Sequence, residues 1–333
     1  MPSVAVLGAS GYTGALAASL LWRHPDVDLV ALTARSDVGR RLDDLYPRHR
    51  VPLELGPYEP GRLEGIDAAI VAYPHGAAAP VVEELRSLGV AVVDLSADFR
   101  LRDLGTYEAY YGEHGAPARL REAAYGLPEL HREAIRAAPL VANPGCFPTA
   151  ALLALAPVAR AGLLADAVVD VKTGVSGAGR AATETTHFVS VDENVTAYAV
   201  GTHRHAPEID QGLEGLGAGG VRVTVVPHLV PLDQGELTTC YVRTREPVGA
   251  ERVAQLFADA YSAEPFVELA DRPPGVRDVR DTNLCRISTH VDPRSRMVIV
   301  LAALDNLWKG ASSQAVQNLN LMLGLDETAG LAP

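Results

Sequence analysis

Cysteine is scarce in this chain of 333 residues, with only Cys146, Cys240 and Cys285. An odd number of thiols set far apart excludes a disulfide framework and suits a reducing cytoplasm. They also lack metal-ligand spacing, so no structural zinc site and no resident metal is expected. A basic excess is missing too: 29 Lys and Arg stand against 41 Asp and Glu, a formal net charge of −12. That balance argues against nucleic-acid or anionic-membrane partners. No apolar run is long enough to span a bilayer, and charge and glycine interrupt every such run in the first thirty residues. Those residues therefore read as neither signal peptide nor anchor, and a cytoplasmic location is expected. Internal repeats and low-complexity tracts are absent beyond alanine enrichment. What remains is ordinary globular composition, with a length that suggests two domains.

The stretch that organises the chain is Asn143-Pro144-Gly145-Cys146-Phe147-Pro148-Thr149. A short apolar run, Leu140-Val141-Ala142, precedes it, and a helix-forming run through Leu155 follows. The pattern is strand, tight turn, helix. Proline near the helix start is well tolerated there, because the first-turn N–H groups have no partner within the helix. A thiol at that point faces unpaired backbone N–H groups and the positive end of the helix dipole, which favour the nucleophilic thiolate. The alternative is a cysteine that merely packs in a crowded junction.

From the amino end, Ser3–Leu7 reads as a strand, followed by Gly8, Ser10, Gly11, Tyr12, Thr13 and Gly14 in a glycine-rich turn and then a helix to about Trp22. Glycines at this spacing permit a tight turn, close approach of backbone N–H groups to a pyrophosphate, and helix-on-strand packing. The second strand, Asp28–Thr33, ends at Arg35 and Ser36. An acidic residue there would hold the ribose 2′-OH of NAD, whereas an arginine suits the 2′-phosphate of NADP. Further strands at 68–72 and 90–95 end in turns carrying Pro74 and Ser96. Alternating strands and helices predict a Rossmann-type doubly wound parallel sheet, with ligands beyond the strands' carboxyl ends. The stretch from Tyr107 to Gly126 reads as an irregular surface excursion.

After the Cys146 helix the texture changes. Strands are expected at 168–173, 221–226, 236–243, 285–291 and 297–304, with helices at 207–216 and 251–260. Fewer intervening helices predict a second, α+β domain built on a mainly antiparallel mixed sheet. Its first strand leads into a second glycine-rich loop containing Ser176, Gly177, Ala178, Gly179 and Arg180. Further on, His203-Arg204-His205 stands just before a helix. A histidine there suits proton transfer near neutral pH, or else serves as a polar cap. The expected division is residues 1–148, completed by a C-terminal amphipathic helix within 311–333, and residues 149–310 as the substrate and oligomerisation domain.

In order along the chain, GASGYTG, LSADFR, NPGCFPT, SGAGR, HRHAPEI and DNLWKGASSQAVQN make the sequence resemble the N-acetyl-γ-glutamyl-phosphate reductases of arginine biosynthesis. That family lies in the wider group that includes aspartate-semialdehyde dehydrogenase. The resemblance implies an NADP-dependent enzyme acting on a small-molecule acyl phosphate, assembled as a homodimer or homotetramer. It assigns Cys146 as nucleophile and His205 as acid/base. It places the cofactor at the Gly8–Gly14 loop, with Ser176–Gly179 lining the nicotinamide side. Asn143, Lys172, Arg180 and Arg204 are candidate substrate anchors. The other readings are a reductase for the one-carbon-longer aminoadipyl phosphate and an NADP-binding regulatory protein without catalysis. One departure stands out. Where the family usually has an arginine two residues before an aliphatic one, this chain has Asp233-Gln234-Gly235-Glu236.

Overall fold

The structure is a computed structural model that describes residues 1–331. Residues 332 and 333, the end of the expected completing segment, lie outside the described residues. Packing separates the chain into two units, one formed by Met1–Gly145 with the segment from Ala311 onward, the other by Cys146–Gly310.

The first unit is built on seven parallel strands: β1 (Ser3–Leu7), β2 (Asp28–Thr33), β3 (Leu55–Gly56), β4 (Ala68–Val71), β5 (Ala91–Asp94), β6 (Ala123–Tyr125) and β7 (Leu140–Ala142). Their order across the sheet is β3-β2-β1-β4-β5-β7-β6. Strands covered on both faces must be apolar throughout, and Val4–Leu7 and Ala68–Val71 are fully buried. The chain reverses its direction of travel across the sheet between β1 and β4, so their carboxyl-end turns form the crevice where such sheets hold ligands.

Two expectations change here. The stretch from Tyr107 to Gly126 is no surface excursion. It contributes much of the helix Leu104–Tyr111 and the edge strand β6. Tyr107 is fully buried and donates its hydroxyl to Asp98 at 2.8 Å. The helix Ser313–Met322 is also less amphipathic than its composition suggests, for Gln314, Gln317, Asn318 and Asn320 are all buried. Burying amides requires partners. Gln314 and Asn318 each donate to the Gly126 carbonyl at 2.8 Å, and Asn318 donates to the Asn143 side chain at 3.0 Å.

The second unit carries a mixed sheet of β8 (Leu164–Thr173), β9 (Thr196–Ala197), β10 (Thr224–Leu229), β11 (Glu236–Thr244), β12 (Val267–Leu269), β13 (Cys285–Val291) and β14 (Val298–Leu304). The order is β12-β13-β14-β11-β8-β10-β9, antiparallel except for the β8–β10 and β12–β13 pairs. The helix Cys146–Arg160 lies on the central strands, and every residue from Phe147 to Ala159 is buried. Two details seat it. Tyr261 donates its hydroxyl to the Leu153 carbonyl at 2.7 Å, and Gly212 in the helix Ala206–Gly215 leaves room for Leu152, which a Cβ would meet at 2.6 Å.

Candidate active site

Cys146 opens the long central helix and is the one partly exposed thiol of the three. Cys240 and Cys285 are fully buried, and burial pushes the Cys240 thiol well above its ordinary value. Close approach to Cys146 is possible because Gly310 carries no side chain: a Cβ there would stand 2.7 Å from the Cys146 Cβ.

The residue after the cysteine brings in the histidines. The Phe147 ring lies 5.0 Å from His205, edge-on, and 5.0 Å from His203. The two imidazoles are 4.8 Å apart, and the His205 backbone N–H donates to His203 Nδ1 at 3.2 Å. That bond fixes His203 Nδ1 as an acceptor. Burial, helped by the Arg204 charge, lowers His203 to about 4, so it stays neutral near physiological pH. His203 is therefore poorly placed to exchange protons near neutrality.

Opposite the cysteine stands Glu236, the first residue of β11, fully buried. Its Oε1 accepts from the Thr238 hydroxyl at 2.9 Å, and the Cys146 thiol is close enough to favour the carboxyl's ionised form. Tyr198 completes the surroundings: burial and the charges of Cys146 and Glu236 push its phenol upward.

The substrate-anchor candidates differ in their present partners. Lys172 Nζ is 2.6 Å from Asp170, whose other oxygen is 3.2 Å from His228. Arg180 and Arg204 are exposed. Asn143, in the first unit, is fully buried and donates to the Ala311 carbonyl at 3.2 Å. Ser176 is held by the Asn306 amide at 3.0 Å, while Gly177, Ala178 and Gly179 are exposed.

In the first unit the glycine loop is spatially demanding. Gly8 adopts φ +83°, and a Cβ there would meet the Ala72 carbonyl at 2.5 Å; one on Gly14 would meet the Gly8 carbonyl at 2.3 Å. A Cβ on Gly11 would meet only that same carbonyl, at 3.6 Å, so the space over the start of the helix Tyr12–Trp22 is open. That helix has no side-chain cap, leaving its amino end suited to an anion. Ser10 offers its carbonyl to the Tyr46 hydroxyl at 2.8 Å. Nearby, Arg35 lies 5.2 Å from the Tyr73 ring and lines a cavity of about 300 Å³ with Ala34, Val38, Pro57, Tyr58 and Val81. Ser36 and Pro74 are exposed. Ser96 is buried, its hydroxyl donating to Asp94 at 2.7 Å. This first-unit arrangement fits the pyrophosphate of a dinucleotide.

Residues 3–138 match the family described as semialdehyde dehydrogenase, NAD binding domain, and residues 146–306 match semialdehyde dehydrogenase, dimerisation domain. The chain is 46% identical over 331 residues to N-acetyl-gamma-glutamyl-phosphate reductase of Dehalococcoides mccartyi, covering 98% of this chain and 96% of that protein. It is 47% identical over 341 residues to the reductase of the same name from Desulforudis audaxviator, covering 99% and 98%. The chain belongs to the N-acetyl-γ-glutamyl-phosphate reductase family. The chain shares its fold with aspartate semialdehyde dehydrogenases. The Vibrio cholerae enzyme II has a TM-score of 0.74 at 20% identity, covering 97% of this chain and 98% of that one. The Candida albicans enzyme with NADP has a TM-score of 0.72 at 16% identity, with the same coverage.

Two members of this reductase's site escaped the sequence reading, Glu236 and Tyr198. The departure from the family pattern at Gln234 also acquires a role. Gln234 is buried and its side-chain amide donates to Asp281 at 2.8 Å and Asp305 at 3.0 Å, while its backbone carbonyl accepts from Arg280 at 2.7 Å. The anions beside this position belong to the chain itself.

Proposed function

We propose that the protein is a cytoplasmic, NADPH-dependent reductase of N-acetyl-L-glutamyl 5-phosphate, forming N-acetyl-L-glutamate 5-semialdehyde and phosphate through a thioester on Cys146. The observation that carries this reading is the placement of the accessible thiol at a helix start, packed through Phe147 against His205, in a chain of this family. The Cys146 thiolate attacks the acyl carbon, and phosphate departs. Backbone N–H groups in the first turn of the helix stabilise the oxyanion. His205 gives that oxygen a proton and takes it back when the semialdehyde is released. The dinucleotide supplies the hydride.

Gly8, Gly11 and Gly14 cradle the pyrophosphate at the helix start, and Arg35 pairs with the 2′-phosphate from the wall of its cavity. Arg180 and Arg204 offer charge-assisted bonds to the substrate's anionic groups. Lys172 does so after exchanging its Asp170 partner. Exposed Phe188, Val189, Val195 and Val200 give the second unit an apolar surface segment suited to a second copy of the chain, in keeping with a homodimer or homotetramer.

Phosphate-dependent NADP reduction tests the whole reading. N-acetylglutamate semialdehyde should outperform both its one-carbon-longer homologue and aspartate semialdehyde. Cys146→Ser should abolish turnover with cofactor binding intact, because a hydroxyl ionises far less readily. Arg35→Ala should raise KM for NADPH and leave NADH nearly unchanged. Preference for the longer homologue would replace the substrate assignment, and equal weakening of both cofactors would remove Arg35 from it.

A further inference from the structure

Glu236 is a buried carboxyl beside the reactive thiol, and it performs no step in the reaction outlined above. In sheet register it stands opposite Thr173 on β8 and Leu304 on β14. Leu304 also lies against the Gly310 position that abuts Cys146, at 3.3 Å from where a Cβ would be. The carboxylate is thus fixed at the floor of the cysteine's surroundings by three strands. Oε1 is engaged by Thr238, but Oε2 is buried without a hydrogen-bond partner among the described residues. The Thr173 hydroxyl opposite is buried and unpartnered as well. A buried carboxylate oxygen left unpaired is expensive, and such groups concentrate where protons are exchanged.

The groups acting on this carboxyl are few. Burial raises it to about 7, while the Thr238 hydroxyl and the Cys146 thiol pull it back down. Tyr198 faces it from beyond β9 and stays protonated, its phenol pushed upward. On the adjoining strands Lys172 and Asp170 alternate onto the opposite face from Thr173. Asp305 is turned towards Gln234 and the backbone N–H groups of Asp281 and Leu307. The thiol is therefore the ionisable neighbour that acts on Glu236.

We propose that Glu236 is the proton acceptor for Cys146, a catalytic base that takes the thiol proton as sulfur attacks the acyl phosphate. This rests on Cys146 being the nucleophile. The S–H bond breaks and its proton passes to the carboxylate. The electron pair left on sulfur forms the S–C bond, and the C–O bond to phosphate breaks with its pair leaving on oxygen. The departing phosphate takes from water the one proton that the net reduction consumes. When the product leaves and the thiolate is regenerated, Glu236 returns its proton to sulfur. His205 is thereby left free to serve the carbonyl oxygen alone.

The test is the pH dependence of iodoacetamide alkylation at Cys146 in the full-length protein, followed by peptide mass mapping. Two groups sharing a proton titrate as a pair. The wild-type rate should rise in two steps, the first near neutrality and the second at higher pH. Glu236→Gln should show one step, with kcat at neutral pH lowered roughly 10²-fold and KM for NADPH unchanged. Thr238→Val keeps the carboxyl but removes the bond that favours its ionised form, so it should move the first step to higher pH. A single step shared by wild type and Glu236→Gln, or an unchanged kcat in that variant, would overturn the proposal. Failure of the nucleophile reading looks different: iodoacetamide would label another thiol first, or Cys146→Ser would still turn over.

Discussion

At the scale of single residues, the two histidines near Phe147 look alike in sequence and differ in environment. His203 accepts the backbone N–H of His205 and is held neutral by burial, whereas His205 caps a helix start without using its side chain as the cap. His205→Asn should therefore lower kcat by roughly 10²–10⁴-fold, while His203→Asn should lower it by less than about tenfold. Steady-state kinetics at saturating cofactor measure both. Equal losses in the two variants would return the proton-transfer role to His203 or to the pair. Cys146 and His205 were legible in the sequence because each sits at a helix start that composition announces. Glu236 was not. A glutamate after Asp-Gln-Gly reads as the polar beginning of a strand, and its burial depends on β8, β14 and the Cys146 helix meeting over it.

At the scale of elements, legibility followed apolar run length. β1, β2 and β13 match their expected bounds, the first two marked by apolar runs and β13 by the alternation of Cys285, Ile287, Thr289 and Val291 with polar residues. β3, β6, β9 and β12 have two or three residues each, too few to show a period, and they form only because a neighbouring strand offers an open edge. Tyr107 was misread for a related reason: its hydroxyl signals solvent until Asp98 is seen to accept it. The turn before β11 behaves the same way. Gln234 looked like a lost substrate anchor, yet its amide ties this turn to the end of β14 through Asp305. Gln234→Leu should remove a donor from a buried carboxylate and destabilise the second unit by about 1–3 kcal/mol. Urea unfolding followed by tryptophan fluorescence reads that loss, since Trp308 lies just after Asp305. KM for the acyl phosphate should stay within about twofold; a large rise with unchanged stability would restore the substrate-anchor reading.

At the scale of the whole molecule, buried ionisable groups set how stability depends on pH. Burial raises the carboxyls of Asp94 and Glu236 to about 7 and moves those of Asp210 and Asp305 upward. Each holds its proton more tightly in the folded than in the unfolded chain. Their stabilising contribution is complete below the unfolded carboxyl value of about 4 and is lost as pH rises through the folded value. Burial acts in the other direction on His49 and His203, both lowered to about 4. Their contribution is complete above the unfolded histidine value of about 6.5 and is lost as pH falls towards 4. Four raised carboxyls outweigh two lowered histidines, so the apparent melting temperature should fall as pH rises from about 5 to 7.5. The fall should be steepest above about 6.5, where the histidines no longer offset it. Asp94→Asn keeps an acceptor for the Ser96 N–H, turns an NH2 donor towards the Ser96 hydroxyl, and removes the titrating proton. It should flatten the slope by up to about 1.4 kcal/mol per pH unit. Differential scanning calorimetry in buffers across that range measures both curves. A wild-type midpoint that rises with pH, or an Asp94→Asn curve parallel to it, would mean that Asp94 is already ionised at the lower pH, its charge carried by Ser96 and Arg100.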